Sequence, residues 1–512
     1  MTAFRAATLS LSLALTPGAQ AEDKVDPYLY LEDVDGEKAL EWVRAQNVVS
    51  QTKLENAIGF PALRQRLQSI YDSDARIPAV TQQGAFLYNF WRDQRNPRGL
   101  WRRTSEAEYR KTTPAWETVL DLDKLATSEN ENWVWKGASC LYPDYRRCLL
   151  RLSRGGADAH VVREFDTGLK SFVPNGFRLV EAKHDVAWRN LDSVLVATDV
   201  GPDSLTTSGY PRTVKEWARG TVVSDAPTVF EAQRGDVGVD MVVVRSERGQ
   251  RELIRRAITF FEYEYHLRAG RHLAKLAVPG DAELSLLQDQ LVLHLRSPWH
   301  ITGRQFAAGS LIAMPLVRFI EGGRDFGVLF APTATTSLDN VQQTRNGLLL
   351  NVLDQVRGRV QVLHYKAGAW QRDDVPVPEF GEAKASPFNG EQSDQFFLST
   401  ENFLEPTRLL AGELGSPALR LLKQLPPQFS AAGLEIQQLY ATSRDGTRVP
   451  YFLVSRKGLS AAGRHPTLLY GYGGFEIALT PGYRAGVGAA WLERGGVYVL
   501  ANIRGGGEFG PP

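Results

Sequence analysis

The residues best placed to do chemistry lie near the end of the 512-residue sequence. Tyr470-Gly471-Tyr472-Gly473-Gly474-Phe475 continues directly from the apolar run Thr467 to Tyr470, so a glycine-rich loop leaves the end of a strand. Glycine lets a backbone take positive φ and approach a substrate closely, and a tyrosine hydroxyl can donate a hydrogen bond to a developing oxyanion. A tight turn or a phosphate cradle has the same appearance. Acyl transfer by the oxyanion route further needs a nucleophile, a base and an orienting acid, with a backbone N–H beyond the nucleophile. No Gly-x-Ser-x-Gly elbow occurs in the sequence: Gly458-Leu459-Ser460-Ala461-Ala462 lacks the second glycine, and Ser153 lacks the first. Of the eight histidines, 160, 184, 266, 272, 294, 300 and 364 fall among strands, where a structural role is the expectation. His465 precedes the glycine-loop strand and also reads as structural.

The other reactive pair is Cys140 and Cys148, which flank Leu-Tyr-Pro-Asp-Tyr-Arg-Arg. Pro143-Asp144 signals a turn, and a hairpin centred on Asp144 sets the two cysteines opposite each other. A disulfide and a pair of buried free thiols both fit that placement. Metal binding does not, because no second Cys or His cluster accompanies them.

Three textures of sequence must position these groups. From Asp26 to about Ser73 the pattern is helical, with Asp35 as a candidate N-cap, an apolar face of Ala39, Leu40, Trp42 and Val43, and a second run of Leu63, Leu67 and Ile70. From about Asp74 to Gln424 short alternating runs are broken by turns: Phe86 to Trp91, His160 to Phe165, Leu169 to Val173, Ser193 to Thr198, Leu348 to Val352 and Val360 to Tyr365. That length of short strands exceeds a sandwich and predicts a propeller, with about seven blades at roughly 50 residues each. After Leu425-Pro426-Pro427, paired strands at Ile436 to Ala441 and Val449 to Ser455 precede the strand Thr467 to Tyr470, a helix near Gly486 to Glu493 and the strand Val497 to Ala501. Strand, glycine loop, helix, strand is the opening of an α/β sheet.

Composition narrows the classes. Hydrophobic residues at 43% and charged residues at 23% are those of a globular protein. With 59 Lys+Arg against 58 Asp+Glu, the net charge of +1 gives no push toward nucleic acid or anionic membrane. Arg5, the apolar Thr8 to Leu15 and Ala19-Gln20-Ala21 together read as an export signal cleaved before Glu22, against the alternative of a buried N-terminal helix. No later stretch reaches the roughly 18–20 apolar residues of a membrane span. A periplasmic or secreted protein is the expectation.

The segment His465 to Phe475, Thr480-Pro481, Trp491, and Gly495-Gly-Val-Tyr-Val-Leu-Ala-Asn-Ile-Arg-Gly-Gly-Gly-Glu-Phe-Gly510 resembles the prolyl oligopeptidase family of serine peptidases. Asp26-Pro27-Tyr28 with Leu31-Glu32-Asp33 is similar to that family's opening motif, and Asn96-Pro97-Arg98-Gly99 and Tyr210-Pro211-Arg212 resemble its bacterial members. The resemblance implies an α/β hydrolase domain built from both chain ends, incomplete here at its C-terminal end, with an inserted seven-bladed all-β propeller. The corresponding boundaries are 1–21 signal peptide, 22–75 first hydrolase segment, 76–425 propeller and 426–512 start of the catalytic domain. It implies cleavage of short peptides after proline, no cofactor and a monomer. By motif position Tyr472 resembles the oxyanion-stabilising tyrosine and Phe475 a substrate-subsite residue, with loop packing as its alternative. Asn502 and Arg504 support the site or stabilise a turn. In the family the serine, acid and histidine all follow the Gly-Gly-Gly-Glu-Phe-Gly motif, so the 512 residues are expected to lack the triad and to be inactive, as a truncated product. A peptide-binding propeller without catalysis and cleavage after basic residues are the competing readings.

Overall fold

The computed structural model describes residues 26–510, apart from Val34, Glu247, Arg248 and Ala461. The expected export signal lies outside the described residues. The chain divides into one compact unit up to Gln68 and another from Ser69 onward.

In the first unit a 3-10 turn, Leu29–Glu32, precedes the helix Glu37–Leu54. The residue that caps this helix is Gly36, not Asp35, and no side chain caps it. The reason is local: the Gly36 amide donates to the Asp33 carbonyl at 3.0 Å, and a side chain at 36 would meet the Asp33 carboxylate at 2.6 Å. Ala39 is buried, while Trp42 and Val43 of the expected apolar face are exposed. A second helix, Phe60–Tyr71, spans the division, and Ile70, which belongs to the second unit, lies in that unit's core.

The second unit begins with antiparallel meanders. Among the described residues, sheets of four sequential strands occupy 81–121, 133–182, 185–231, 238–275, 283–330, 336–375 and 382–424. The second carries an extra strand, Arg178–Ala182, and the fifth an inserted hairpin of Trp299–Ile301 and Arg304–Phe306. Each sheet buries one face against the next. Trp101 and Val119 of the first pack with Leu150 and Phe165 of the second, and the series continues until Phe388 and Phe397 of the seventh meet Leu87 and Tyr109 of the first. The last contact closes the ring, helped by Gln82 N–H donating to the Phe388 carbonyl at 2.9 Å. In the second sheet Cys140 lies opposite Cys148, and the two are joined by a disulfide.

A final mixed sheet follows. Leu434–Thr442 pairs antiparallel with Arg448–Arg456, which pairs antiparallel with Val497–Ala501, and Thr467–Gly471 lies parallel to that strand at the sheet edge. Between the two parallel strands the connection holds a short helix, Ala485–Val487, that runs on as a π-type turn over Gly488–Leu492. A Cβ on Gly488 would sit 2.1 Å from the Phe429 ring, so glycine permits this close packing.

Loops from the ring enter the core of this sheet. Val356 and Phe403 share one apolar cluster with Phe429, Phe452, Leu492 and Leu500. Val356 is fully buried although its φ is +68°, a region costly for a β-branched residue; burial of its side chain offsets that strain. Tyr440 Oη donates to Gln355 Oε1 at 2.7 Å, Thr480 Oγ1 to Glu382 Oε2 at 3.0 Å, and the Tyr483 amide to Glu401 Oε1 at 3.1 Å.

Candidate active site

Tyr472 stands at the start of the loop that leaves the edge strand Thr467–Gly471. The residue is 37% exposed, and no hydrogen-bond partner for its hydroxyl lies among the described residues. The ring folds over Gly474, where a Cβ would meet the hydroxyl at 2.9 Å. The next turns are strained. Phe475 and Glu476 are successive left-handed residues at φ +57° and +55°, and Phe475 presents its ring at 91% exposure. Phe475 therefore is not loop packing in this structure.

Two glycine segments hold that loop from below. A Cβ on Gly473 would lie 2.2 Å from the Arg504 carbonyl oxygen, and one on Gly505 2.1 Å from the Gly473 carbonyl oxygen. The Glu476 amide donates to the Gly505 carbonyl at 3.1 Å. Arg504 points the other way, pairing with Asp445 at 2.6 Å and reaching Ser443 Oγ at 3.2 Å, so its side chain ties the strand end to the 443–447 turn. The Thr447 amide, the Thr447 side chain and Arg504 together hold the Asp445 carboxyl at about 2. Asn502 is buried: its amide donates to the Pro450 carbonyl, and Nδ2 donates to the Leu479 carbonyl at 2.7 Å and to Glu508 Oε1 at 3.0 Å.

Facing the loop is the ring. A cavity of about 240 Å³ is lined by Phe261, Glu283, Arg296 and Asp339 on one side and Glu476 and Gly507 on the other. Arg296 bridges it, with Nη2 at 3.0 and 3.1 Å from the Glu476 carboxylate and its guanidinium 4.6 Å from the Phe261 ring centre. His294, 3.8 Å away, holds the Glu283 carboxyl below the usual carboxylate range.

Of the sequence-derived site residues, Tyr472, Phe475, Asn502 and Arg504 lie on two adjoining loops. His465 binds the Ser460 carbonyl through Nε2 at 3.0 Å, and the buried Ser153 donates to the Ala157 carbonyl at 2.8 Å. Sequence reasoning did not single out Glu508, Glu476 or the ring residues Arg296 and Ser337. Glu508 stood within the quoted glycine motif; the ring partners had no local signal, since Arg296 and Glu476 are 180 positions apart. Among the described residues no cluster of three or more His, Cys, Asp or Glu is arranged to hold a metal, and no helix is long and apolar enough to cross a membrane.

An antiparallel ring joined to a mixed sheet bearing a tyrosine–glycine loop defines the class, and comparison with known proteins agrees. The prolyl oligopeptidase N-terminal β-propeller domain matches residues 16–425. An uncharacterized peptidase, y4nA, of Sinorhizobium fredii is 36% identical over 98% of this chain and 71% of its own length. A post-proline cleaving enzyme from Rickettsia typhi superposes with a TM-score of 0.81 at 28% identity, over 94% of this chain and 72% of that one. A prolyl endopeptidase of Elizabethkingia miricola is 36% identical over 29% of this chain and 21% of its own length. The chain belongs to the prolyl oligopeptidase family of serine peptidases.

Proposed function

We propose that these residues form the propeller and the oxyanion side of an oligopeptidase that cleaves short peptides after proline. The observation that carries the reading is the Tyr472 hydroxyl, unpartnered among the described residues, on a strained loop that faces a cavity walled by the ring. When a nucleophile adds to a peptide carbonyl, negative charge grows on oxygen, and a fixed donor aimed at that position stabilises the transition state more than the ground state. Tyr472 supplies that donor in this reading, and the exposed Phe475 ring offers an apolar surface to the neighbouring substrate residue. The seven sheets are then blades of one propeller that restricts access to short peptides. The disulfide between Cys140 and Cys148 supports an oxidising compartment, consistent with export through residues 1–21.

Because these 512 residues hold no serine elbow, we place no hydrolysis in them alone. The test is a fusion in which the part of the Rickettsia typhi enzyme that follows the matched region is joined after Gly510. Chromogenic peptides ending in proline, arginine or alanine before the scissile bond are compared. Preference for proline supports the reading; preference for arginine would replace it with cleavage after basic residues.

A further inference from the structure

We propose that Glu508 is a positioning residue that fixes the Tyr472 loop; the inference rests on the oxyanion reading of Tyr472. Glu508 is only 2% exposed, and no cation pairs with it among the described residues. Burying a carboxylate is costly unless donors replace water. Here Oε1 accepts from the Leu479 amide at 3.0 Å and from Asn502 Nδ2 at 3.0 Å, while the Glu508 backbone carbonyl accepts from Ser337 Oγ of the sixth sheet at 3.0 Å. Asn502 Nδ2 also reaches the Leu479 carbonyl at 2.7 Å, so both backbone polar groups of Leu479 are clamped by one buried pair.

Leu479 lies within the loop that Tyr472 begins and that runs on to Arg484. Between them the loop is anchored to the 503–510 segment by the bond from Glu476 N to the Gly505 carbonyl and by three glycine approaches. A Cβ at Gly506 would lie 2.0 Å from Glu508 Oε2, and one at Gly507 2.3 Å from the Glu476 carbonyl oxygen. Gly505 and Gly507 therefore leave room for the backbone of the loop above, while Gly506 leaves room for the Glu508 carboxylate to fold back. Through Ser337 the same residue ties the Tyr472 loop to the propeller, so the oxyanion donor and the cap share one support.

The experiment uses the 512-residue chain with 3-fluorotyrosine incorporated at position 472 and follows its fluorine resonance. Glu508→Ala is expected to shift and broaden that line while circular dichroism of the rest is unchanged. Glu508→Gln keeps an Oε1 that accepts from both N–H groups, so its line matches that of the wild type. Asn502→Ala is expected to reproduce the alanine effect, with no further change in the double variant. An unshifted line in Glu508→Ala, or a Glu508→Gln line as perturbed as that of alanine, overturns the proposal. If the alanine variants do not fold, hydrogen exchange at the Leu479 amide of the unaltered chain decides: protection is expected, and exchange at the rate of a free amide contradicts it. None of these readings depends on turnover. Loss of the fluorine effect with a slowed Tyr472→Phe fusion enzyme removes the positioning role alone; the converse result removes the oxyanion reading alone.

Discussion

Phe475 and Glu476 occupy a backbone region that costs of order 1 kcal/mol or more for each side chain, and the contacts around Gly473 and Gly505 are what keep them there. Gly473→Ala is expected to displace the Arg504 carbonyl and lower stability by about 1–3 kcal/mol, read as a fall in the urea midpoint; an unchanged midpoint would mean that the loop relaxes freely. A second residue-scale effect concerns His184. Burial lowers its pKa to about 4, and its ring is bonded to Thr198 Oγ1 and to the Val180 carbonyl, both at 2.7 Å. As pH falls below about 6.5 the unfolded imidazole takes a proton that the folded one refuses, so this residue removes stability down to about pH 4, by at most about 3 kcal/mol. The neighbouring Asp185, raised to about 6 by burial, acts in the opposite sense, adding stability as pH falls from 6 toward 4. Replacing His184 with Gln leaves the Asp185 effect in place, so the variant is expected to gain stability relative to wild type between pH 7 and 4.5, measured by denaturant titration at each pH. A difference independent of pH would contradict this. At this scale Tyr472, Phe475, Asn502 and Arg504 were legible because a motif holds them together. The partners of Glu508 were not: Leu479 is 29 positions away and Ser337 is 171.

Strands were the most legible elements, because alternation and turn residues are local signals. Phe86–Trp91 and Val497–Ala501 match their sequence limits, and Ser193–Ala197 and Thr467–Gly471 differ from them by one residue. The helix expected near Gly486 to Glu493 is present, but that it runs as a π-type turn over Gly488–Leu492 had no local signal, since Gly488 packs against Phe429 from a distant part of the chain. The hairpin around Asp144 was legible as a turn; its disulfide closes a separation of 8 residues. The chain-entropy relation gives about 2.5 kcal/mol for a loop of that size, so reduction of the disulfide is expected to lower unfolding free energy by about that amount. Equal stability of the oxidised and reduced forms would contradict it. The edge strand is the other vulnerable element. Leu468, Leu469 and Tyr470 are all exposed beside a backbone edge that pairs with no further strand among the described residues, a template for association. Leu469→Lys is expected to reduce concentration-dependent light scattering of the purified chain, and unchanged scattering would place the association elsewhere.

Across the molecule, the boundary after Pro427 is visible in sequence texture but not in packing. Val356 and Phe403 from the ring and Phe452 and Leu500 from the last sheet form a single core. Limited proteolysis is therefore expected to leave a protected fragment extending past residue 500; a stable fragment ending near 425 would mean that the last sheet unfolds separately. A ring of short-stranded sheets was legible from strand spacing, but the residues that close it were not, because Leu87 and Phe397 meet only when every intervening sheet is in place.

Donation by Tyr472 to the oxyanion is tested by the turnover of the fusion enzyme with Tyr or Phe at position 472. Removal of one such donor costs about 10²–10³ in kcat. For Tyr472→Phe a loss of that order is expected on a proline substrate with KM nearly unchanged, because the interaction strengthens only in the transition state. A Tyr472→Phe enzyme with unaltered kcat, or one whose loss appears wholly in KM, would contradict it.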